Sequence, residues 1–266
     1  MKYLIAIAAR SSTFLHPKHP NIIYFMDDDQ TDHYKDVNHI AYPRAHLQAK
    51  RNFVLDYARS NNIEHLIVCD DDVDYFRTPE KKKIDFISGC EEMIKIAKEE
   101  KLTGMMLTQD VFIHWKKDAE KFTNCTKLAW CSYLNVKQTP ANIRYDETPK
   151  TFEDVDMALQ LMHANQSLKT YNWLSAHMIS HKSTCFDPEN YAKGFLEYMC
   201  RLYIKWGDVV SIHQQKRFPK SPYGFRLKLD KFHKWTKKEL AQAILDNYTE
   251  ENVNKFFDKK YVFGQV

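Results

Sequence analysis

The chain reads as an α/β protein: an αβα sandwich around a mixed central sheet, followed by a helical, basic C-terminal stretch. Three observations predict this. Short apolar runs at 3–9, 21–26 and 63–69 alternate with helix-period segments at 43–59, 88–100 and 153–162, the pattern of strands and helices in layers. The 266 residues, 44% hydrophobic and 28% charged, suffice for one full core, as one large domain or a domain with an appendage. The run Ile63–Cys69 also turns abruptly into Asp70-Asp71-Asp72, placing three carboxylates at the C-terminal end of a strand, where open α/β sheets bind ligands.

Residues 3–9 form the first strand, and Arg10 leaves its end. The opening is too short in apolar residues for a secretory leader, polar sequence following from Arg10. A second strand over 21–26 closes on another acidic triple, Asp27-Asp28-Asp29. Pro43 opens a helix running to about Arg59, proline being tolerated in a first turn; Leu47, Val54 and Ala58 supply its buried face, and Lys50-Arg51-Asn52 lie one to two turns in. As cations, Lys50 and Arg51 suit a diphosphate, and equally suit a solvent-facing helix surface. Ser88-Gly89-Cys90-Glu91 reads as a capping box. Met105–Leu107 and Lys127–Val136 are further strands, with 111–115 a sheet or acceptor-side segment between them. Thr151, with Asp154 three residues on, caps a helix that begins Phe152-Glu153-Asp154-Val155-Asp156. A strand over 168–173 and an apolar stretch carrying His177 and His181 follow. Asp187-Pro188 caps a long aromatic helix ended by Gly207, and a helix near Glu239 and a short one beyond 250 complete the chain.

Composition excludes several classes. Six glycines in the whole chain, with no G-x-G-x-x-G and no P-loop, leave dinucleotide and kinase-like readings without their signature. The six cysteines form no C-x-x-C pair, so zinc and redox spacings are absent, and their apolar surroundings suit small buried side chains in a reducing compartment. No apolar run reaches the 18 residues of a membrane span, and a cytoplasmic location is expected. The net charge of +4 is modest, but nine Lys or Arg fall between Lys216 and Lys238 with aromatic residues interleaved, a stretch suited to a polyanion.

Three adjacent carboxylates repel one another and are costly to bury. A hard divalent cation bridging to phosphate oxygens offsets that cost. A calcium loop fits poorly, lacking the glycine and alternating acids, and a solvated acidic loop is the plain alternative.

Taken together, Asp70-Asp71-Asp72 at a strand end, the acidic helix start Glu153-Asp154, and a histidine after the next strand resemble glycosyltransferases of the GT-A type. The resemblance covers about residues 1–185. It implies a single Rossmann-like αβα sandwich as the nucleotide-sugar-binding and catalytic core, with 186–266 as a helical, basic, acceptor-side region. It further implies Asp72 and His181 as ligands of Mn²⁺ (or Mg²⁺), with His177 or His213 as other choices for the histidine. Asp70 and Asp71 fall on the donor side, Arg10 near uracil and ribose, and Lys50 and Arg51 by the diphosphate of a UDP-sugar. Asp154, with Glu153 beside it, becomes the general base of an inverting enzyme. The metal offsets charge on the leaving pyrophosphate.

A narrower resemblance, to phage glycosyltransferases found alongside pyrimidine hydroxylases, rests on the Lys50-Arg51-Asn52-Phe53 helix before the acidic strand and on the basic C-terminal third. It implies transfer of glucose or arabinose to 5-hydroxymethylcytosine in DNA. The competing expectations are a transferase acting on a cell-surface polysaccharide or lipid-linked acceptor, a non-enzymatic nucleic-acid-binding protein, and a metal-dependent nuclease or phosphatase. Asp27–Asp29 follows a comparable strand and could also line the site, but in the GT-A reading it lacks downstream partners and is expected to be a decoy.

Overall fold

A computed structural model describes residues 2–9, 15–16, 18–43, 45–109, 120–147, 152–179, 188–214, 223–229 and 237–257. The chain divides into two compact units, one of Met1–Glu147 with Glu153–His181 and the other of Thr148–Phe152 with Lys182–Val266.

The first unit is built on a sheet of ten described strands: β1 (Tyr3–Ala8), β2 (Ile22–Asp27), β3 (His39–Tyr42), β4 (His65–Asp70), β5 (Val73–Arg77), β6 (Lys83–Ile84), β7 (Gly104–Gln109), β8 (Phe122–Asn124), β9 (Cys131–Asn135) and β10 (Leu168–Met178). Their order is β3-β2-β1-β4-β9-β7-β10-β5-β6, with β8 paired to β10. The β1–β2, β1–β4, β2–β3 and β7–β10 pairs are parallel, and the others antiparallel. The sheet is therefore mixed, as expected.

Its central strands are buried on both faces because their alternating side chains feed two cores. Ile5, Ile7, Ile67 and Cys69 join one cluster, with Phe86, Cys90, Met93 and Ala97 of α2 (Phe86–Glu99). Leu4, Ala6, Leu66 and Val68 join the other, with Val54, Leu55 and Ala58 of α1 (Leu47–Ser60) and Met157, Ala158 and Leu161 of α3 (Glu153–His163). Helices thus cover both faces of the sheet, the αβα sandwich that the sequence predicts.

Several boundaries differ from the expectation. Helix α1 opens at Leu47 rather than Pro43 because 39–42 are drawn out into β3, in parallel register with Tyr24–Asp27. Helix α2 opens at Phe86, a turn before the expected site, because Asp85 caps it by accepting the Ser88 N–H at 3.0 Å. The strand expected over 127–136 is confined to Cys131–Asn135. β5, β6 and β8 had no counterpart in the sequence reading, and the segments expected around 168–181 merge into one eleven-residue strand, β10. The segment 111–115 and Thr151 lie outside the described residues.

The second unit holds α4 (Pro188–Trp206), the antiparallel pair β11 (Val210–Gln214) and β12 (Tyr223–Leu227), α5 (Lys238–Asp246) and α6 (Glu250–Phe257). Its helices are as expected, and past Gly207 the chain adds a hairpin that the sequence did not announce. Phe152 belongs to this unit, its ring against Phe195 and Phe225 at centroid distances of 4.8 and 5.0 Å.

Candidate active site

The parallel strands β1, β2 and β4 end at one edge, where Ala8 is level with both Phe25 and Asp70. From β1 the chain steps outward through β2 and β3, then returns to the opposite side of β1 as β4. The crevice between the ends of β1 and β4 is thus the point where strand order reverses, the place where ligands bind open α/β sheets. Helix α1 supplies Lys50 and Arg51 to this edge. Successive helical residues point about 100° apart, so the two cations serve different strands.

Lys50 is 1% exposed, with its Nζ 2.9 Å from Asp27 Oδ1 and donating to the Ala9 carbonyl at 2.9 Å. It ties the ends of β1 and β2 together. Arg51 is also buried and reaches the other way: Nη2 donates to Asp70 Oδ1 and Nη1 to Glu153 Oε1, both at 2.8 Å, with the guanidinium 5.6 Å from the centroid of the Tyr145 ring. Asn52 fixes that ring's backbone from both sides, donating to the Tyr145 carbonyl at 2.9 Å and accepting the Tyr145 N–H at 2.8 Å. The expectation of solvent-facing cations is overturned. All three residues of Lys50-Arg51-Asn52 point inward, each to a different partner.

A guanidinium is well suited to this task, being planar, forked and permanently charged. Burial works against the charge on Arg51, but Asp70, Glu153 and Asp154 more than offset it and raise its pKa. For Glu153 the desolvation by burial outweighs the pull of Arg51, and its pKa is raised. The Tyr145 phenol is likewise pushed up to about 12 by burial, with Arg51 opposing.

The structure therefore brings together three sequence-predicted residues, Arg51, Asp70 and Glu153, from α1, β4 and α3. Asp71 and Asp72 form the turn between β4 and β5, both half-buried, and the Asp72 carbonyl accepts the Ile179 N–H at 2.8 Å. Asp154 is half-buried in the first turn of α3, one carboxylate oxygen accepting the N–H of Val155 at 2.9 Å. Asp156 is buried and accepts from Gln160 at 2.7 Å. His177 stacks on Tyr75 with centroids 4.3 Å apart. His213 lies in β11 of the second unit. Arg10 and His181 lie outside the described residues, as does most of the cationic stretch 216–238.

Among the described residues, no three histidine, cysteine or carboxylate side chains gather as a metal-holding cluster. Asp71 and Asp72 still suit a magnesium-like ion, which keeps several waters and takes one or two carboxylates together with substrate phosphates.

Sequence reasoning missed Asp27. Its carboxylate is the partner of Lys50, and with Asp29, Gln30 and His46 it lines a polar cavity of about 340 Å³ beside the crevice. The signal is an acidic triple closing a strand just as at Asp70, but its partner Lys50 is over twenty positions downstream, on a different element. The expectation that Asp27–Asp29 lacks partners is corrected.

No protein-family model matches the chain, and no curated protein matches it in sequence. Solved structures do resemble it. GalNAc-T7 with UDP, GalNAc and Mn²⁺ superposes with a TM-score of 0.51 at 9% identity, over 77% of this chain and 48% of that one. TarS 1–349 of S. aureus with UDP-GlcNAc gives 0.47 at 13% identity, over 97% and 73%. A197 from STIV gives 0.40 at 13% identity, over 68% and 87%. The chain spans 65% of the length of TarS 1–349 in a further structure of that protein. The fold is GT-A-like, a Rossmann-like αβα sandwich with a mixed central sheet and C-terminal helices.

Proposed function

We propose that this protein is a glycosyltransferase that binds a nucleotide-sugar donor at the β1/β4 crevice. One observation carries the reading: Arg51 binds Asp70 and Glu153 together where the strand order reverses. The GT-A-like fold supports it, and the likeness to a transferase holding UDP, GalNAc and Mn²⁺ suggests UDP as the nucleotide.

In this reading the polar cavity lined by Asp27, Asp29, Gln30 and His46 accommodates the nucleoside, and Asp71 and Asp72 hold Mn²⁺ or Mg²⁺, with His181 completing the set. The bound ion offsets the charge of the departing diphosphate. Glu153 is occupied by Arg51, so its work is positional: it holds the cation that orients Asp70. Asp154, beside it at the start of α3, accepts the proton of the acceptor hydroxyl as it attacks the anomeric carbon from the opposite face. Keeping water from the crevice prevents hydrolysis of the donor.

For the acceptor, a polysaccharide or lipid-linked carrier is the leading reading. It requires only a hydroxyl at the site. Transfer to 5-hydroxymethylcytosine in DNA also requires a polyanion-binding surface, for which the sequence offers the cationic stretch 216–238 as a candidate. Incubation with Mn²⁺, a panel of nucleotide sugars, oligosaccharide acceptors and DNA with or without 5-hydroxymethylcytosine separates these outcomes by the mass added. Calorimetry with UDP-sugars should show Mn²⁺-dependent binding that Asp72→Asn weakens at least tenfold. Binding unaltered by Asp72→Asn, or absent with every donor, overturns the reading.

A further inference from the structure

Away from the crevice, strand β10 contains an irregularity that places an aromatic ring in solvent. Its parallel register with β7 pairs Leu107 with Tyr171 and then Thr108 with Ser175, so Asn172, Trp173 and Leu174 are three extra residues on the β10 side. Such bulges re-aim side chains. This one is firmly anchored. Asn172 is fully buried, its N–H donating to the Lys121 carbonyl at 3.0 Å and its amide Nδ2 to the Glu120 carbonyl at 2.9 Å. Immediately after it, Trp173 is 46% exposed, the one large hydrophobic side chain exposed among the described residues. A free-energy cost in exposed apolar surface is thus fixed by a buried amide.

Trp173 lines a cavity of about 490 Å³ with Tyr171, Lys83, Asp85, Ser88 and Glu92. Asp85 and Glu92 oppose the charge of Lys83 and of Lys82, which also lines the cavity. Two carboxylates against two ammonium groups leave the cavity without net charge, which disfavours a phosphate or nucleic-acid backbone there. Asp85 is moreover held as the carboxylate at the start of α2, its pKa lowered by the bonds from Ser88. A flat indole face bordered by carboxylates, ammonium groups and a hydroxyl matches a neutral sugar ring, whose C–H face packs on the aromatic while its hydroxyls exchange hydrogen bonds at the edge.

We infer that Trp173 is the platform of a second carbohydrate-binding subsite, which takes a neutral pyranose unit of the acceptor glycan. From Trp173 to Met178, level with Val73 next to Asp72, is five residues, at most about 16 Å at 3.3 Å per residue of strand. The subsite therefore lies on the strand that runs toward the acidic turn, suited to holding a chain at a distance from its reacting end. That the bound sugar is part of an acceptor rests on the glycosyltransferase reading; that the site binds sugar does not.

The test measures binding to the full chain without donor or metal. The indole N–H signal of Trp173, assigned by its disappearance in Trp173→Phe, is followed by NMR during titration with neutral trisaccharides of the gluco, galacto, manno and N-acetylated series. A saturable shift with at least one of them is expected. In Trp173→Ala, followed on the backbone amides around Ser88 and Glu92, affinity should fall about tenfold, the loss of one aromatic contact, while Trp173→Phe retains part of it. Trp173 is exposed, so both variants keep the fold, which circular dichroism checks. No shift with any sugar, a shift unchanged in Trp173→Ala, or a shift tracking protein concentration through self-association overturns the proposal. In Asp72→Asn the sugar titration should be unaltered. Sugar binding by a wild-type chain that binds no nucleotide sugar therefore identifies a failure of the enzyme reading alone.

Discussion

Replacing Arg51 by Met keeps most of the side-chain volume but removes the charge bound to both Asp70 and Glu153. Breaking a buried ion pair by deleting one partner typically costs about 3–5 kcal/mol. The Asp70 side chain is 33% exposed and the Glu153 side chain 11%, so water relieves part of the penalty on the first and little on the second; about 2–4 kcal/mol is expected here. The loss must depend on pH. Glu153 already has a raised pKa in the folded protein, mainly through burial and despite Arg51. A carboxyl whose folded pKa lies above its unfolded value favours the native state fully below the unfolded pKa, and that contribution is lost as pH rises through the folded one. Without Arg51 the folded value rises further. The destabilisation of Arg51→Met should therefore be full at pH 7 to 8 and shrink as the pH is lowered into the carboxylate range, where Glu153 takes up a proton. Urea unfolding of wild type, Arg51→Met, Glu153→Gln and the double variant at pH 5 and pH 7.5 measures this. The double variant should recover stability relative to Arg51→Met at pH 7.5. A cost below about 1 kcal/mol at pH 7.5, the value of an exposed pair, or one independent of pH, refutes the view of Arg51 as the compensating charge.

Two further outcomes follow from the packing beneath the site. A Cβ on Gly89 would run into the Phe76 ring, so Gly89→Ala should destabilise by about 1–3 kcal/mol in thermal or urea unfolding, with donor affinity little changed. His16 is buried and stacked on Phe86 at 3.6 Å, and burial lowers its pKa to about 4. Because its folded pKa is depressed below the unfolded value of 6.5, its stabilising contribution is present above pH 6.5 and declines as pH falls toward 4; His16→Phe should flatten the stability profile in that window.

The fold was legible where one strand or helix carried its own period. Ile67-Val68-Cys69 is apolar on both sides, and the structure buries both sides, in two separate cores. Helix α3, with Val155, Ala158 and Leu159 at helical spacing, begins at Glu153, one residue later than expected, with Phe152 outside it at φ 63°. Local reading failed where a partner distant in sequence decided the outcome. His39–Tyr42 is a strand because β2 lies beside it, and 73–77 is a strand because β10 does. Four residues at the sheet edge and five directly after the acidic turn are too few to carry a period of their own. The bulge at 172–174 was hidden for the same reason. It exists only in the register between two strands.

The candidate site shows the same division in terms of charge. The chain announces its carboxylates, because consecutive acids at a strand end are conspicuous, and the strand-then-acid signal at Asp70 led to the edge where the strand order reverses. It does not announce which cation each acid will meet. Lys50 and Arg51 are adjacent in sequence and were read as one functional unit. In the helix they diverge, so Lys50 goes to Asp27 and Arg51 to Asp70 and Glu153. That divergence turns the two acidic triples from competitors into two sides of one crevice, each anchored to α1 by its own buried cation. It also changes what a donor encounters. Lys50 is held by Asp27 and the Ala9 carbonyl, and Arg51 by two carboxylates, so neither is a mobile surface charge waiting for phosphate. In the proposed reading the charge of the diphosphate would fall chiefly to an ion held by Asp71 and Asp72, so donor binding should depend more steeply on Mn²⁺ than on either basic residue of α1.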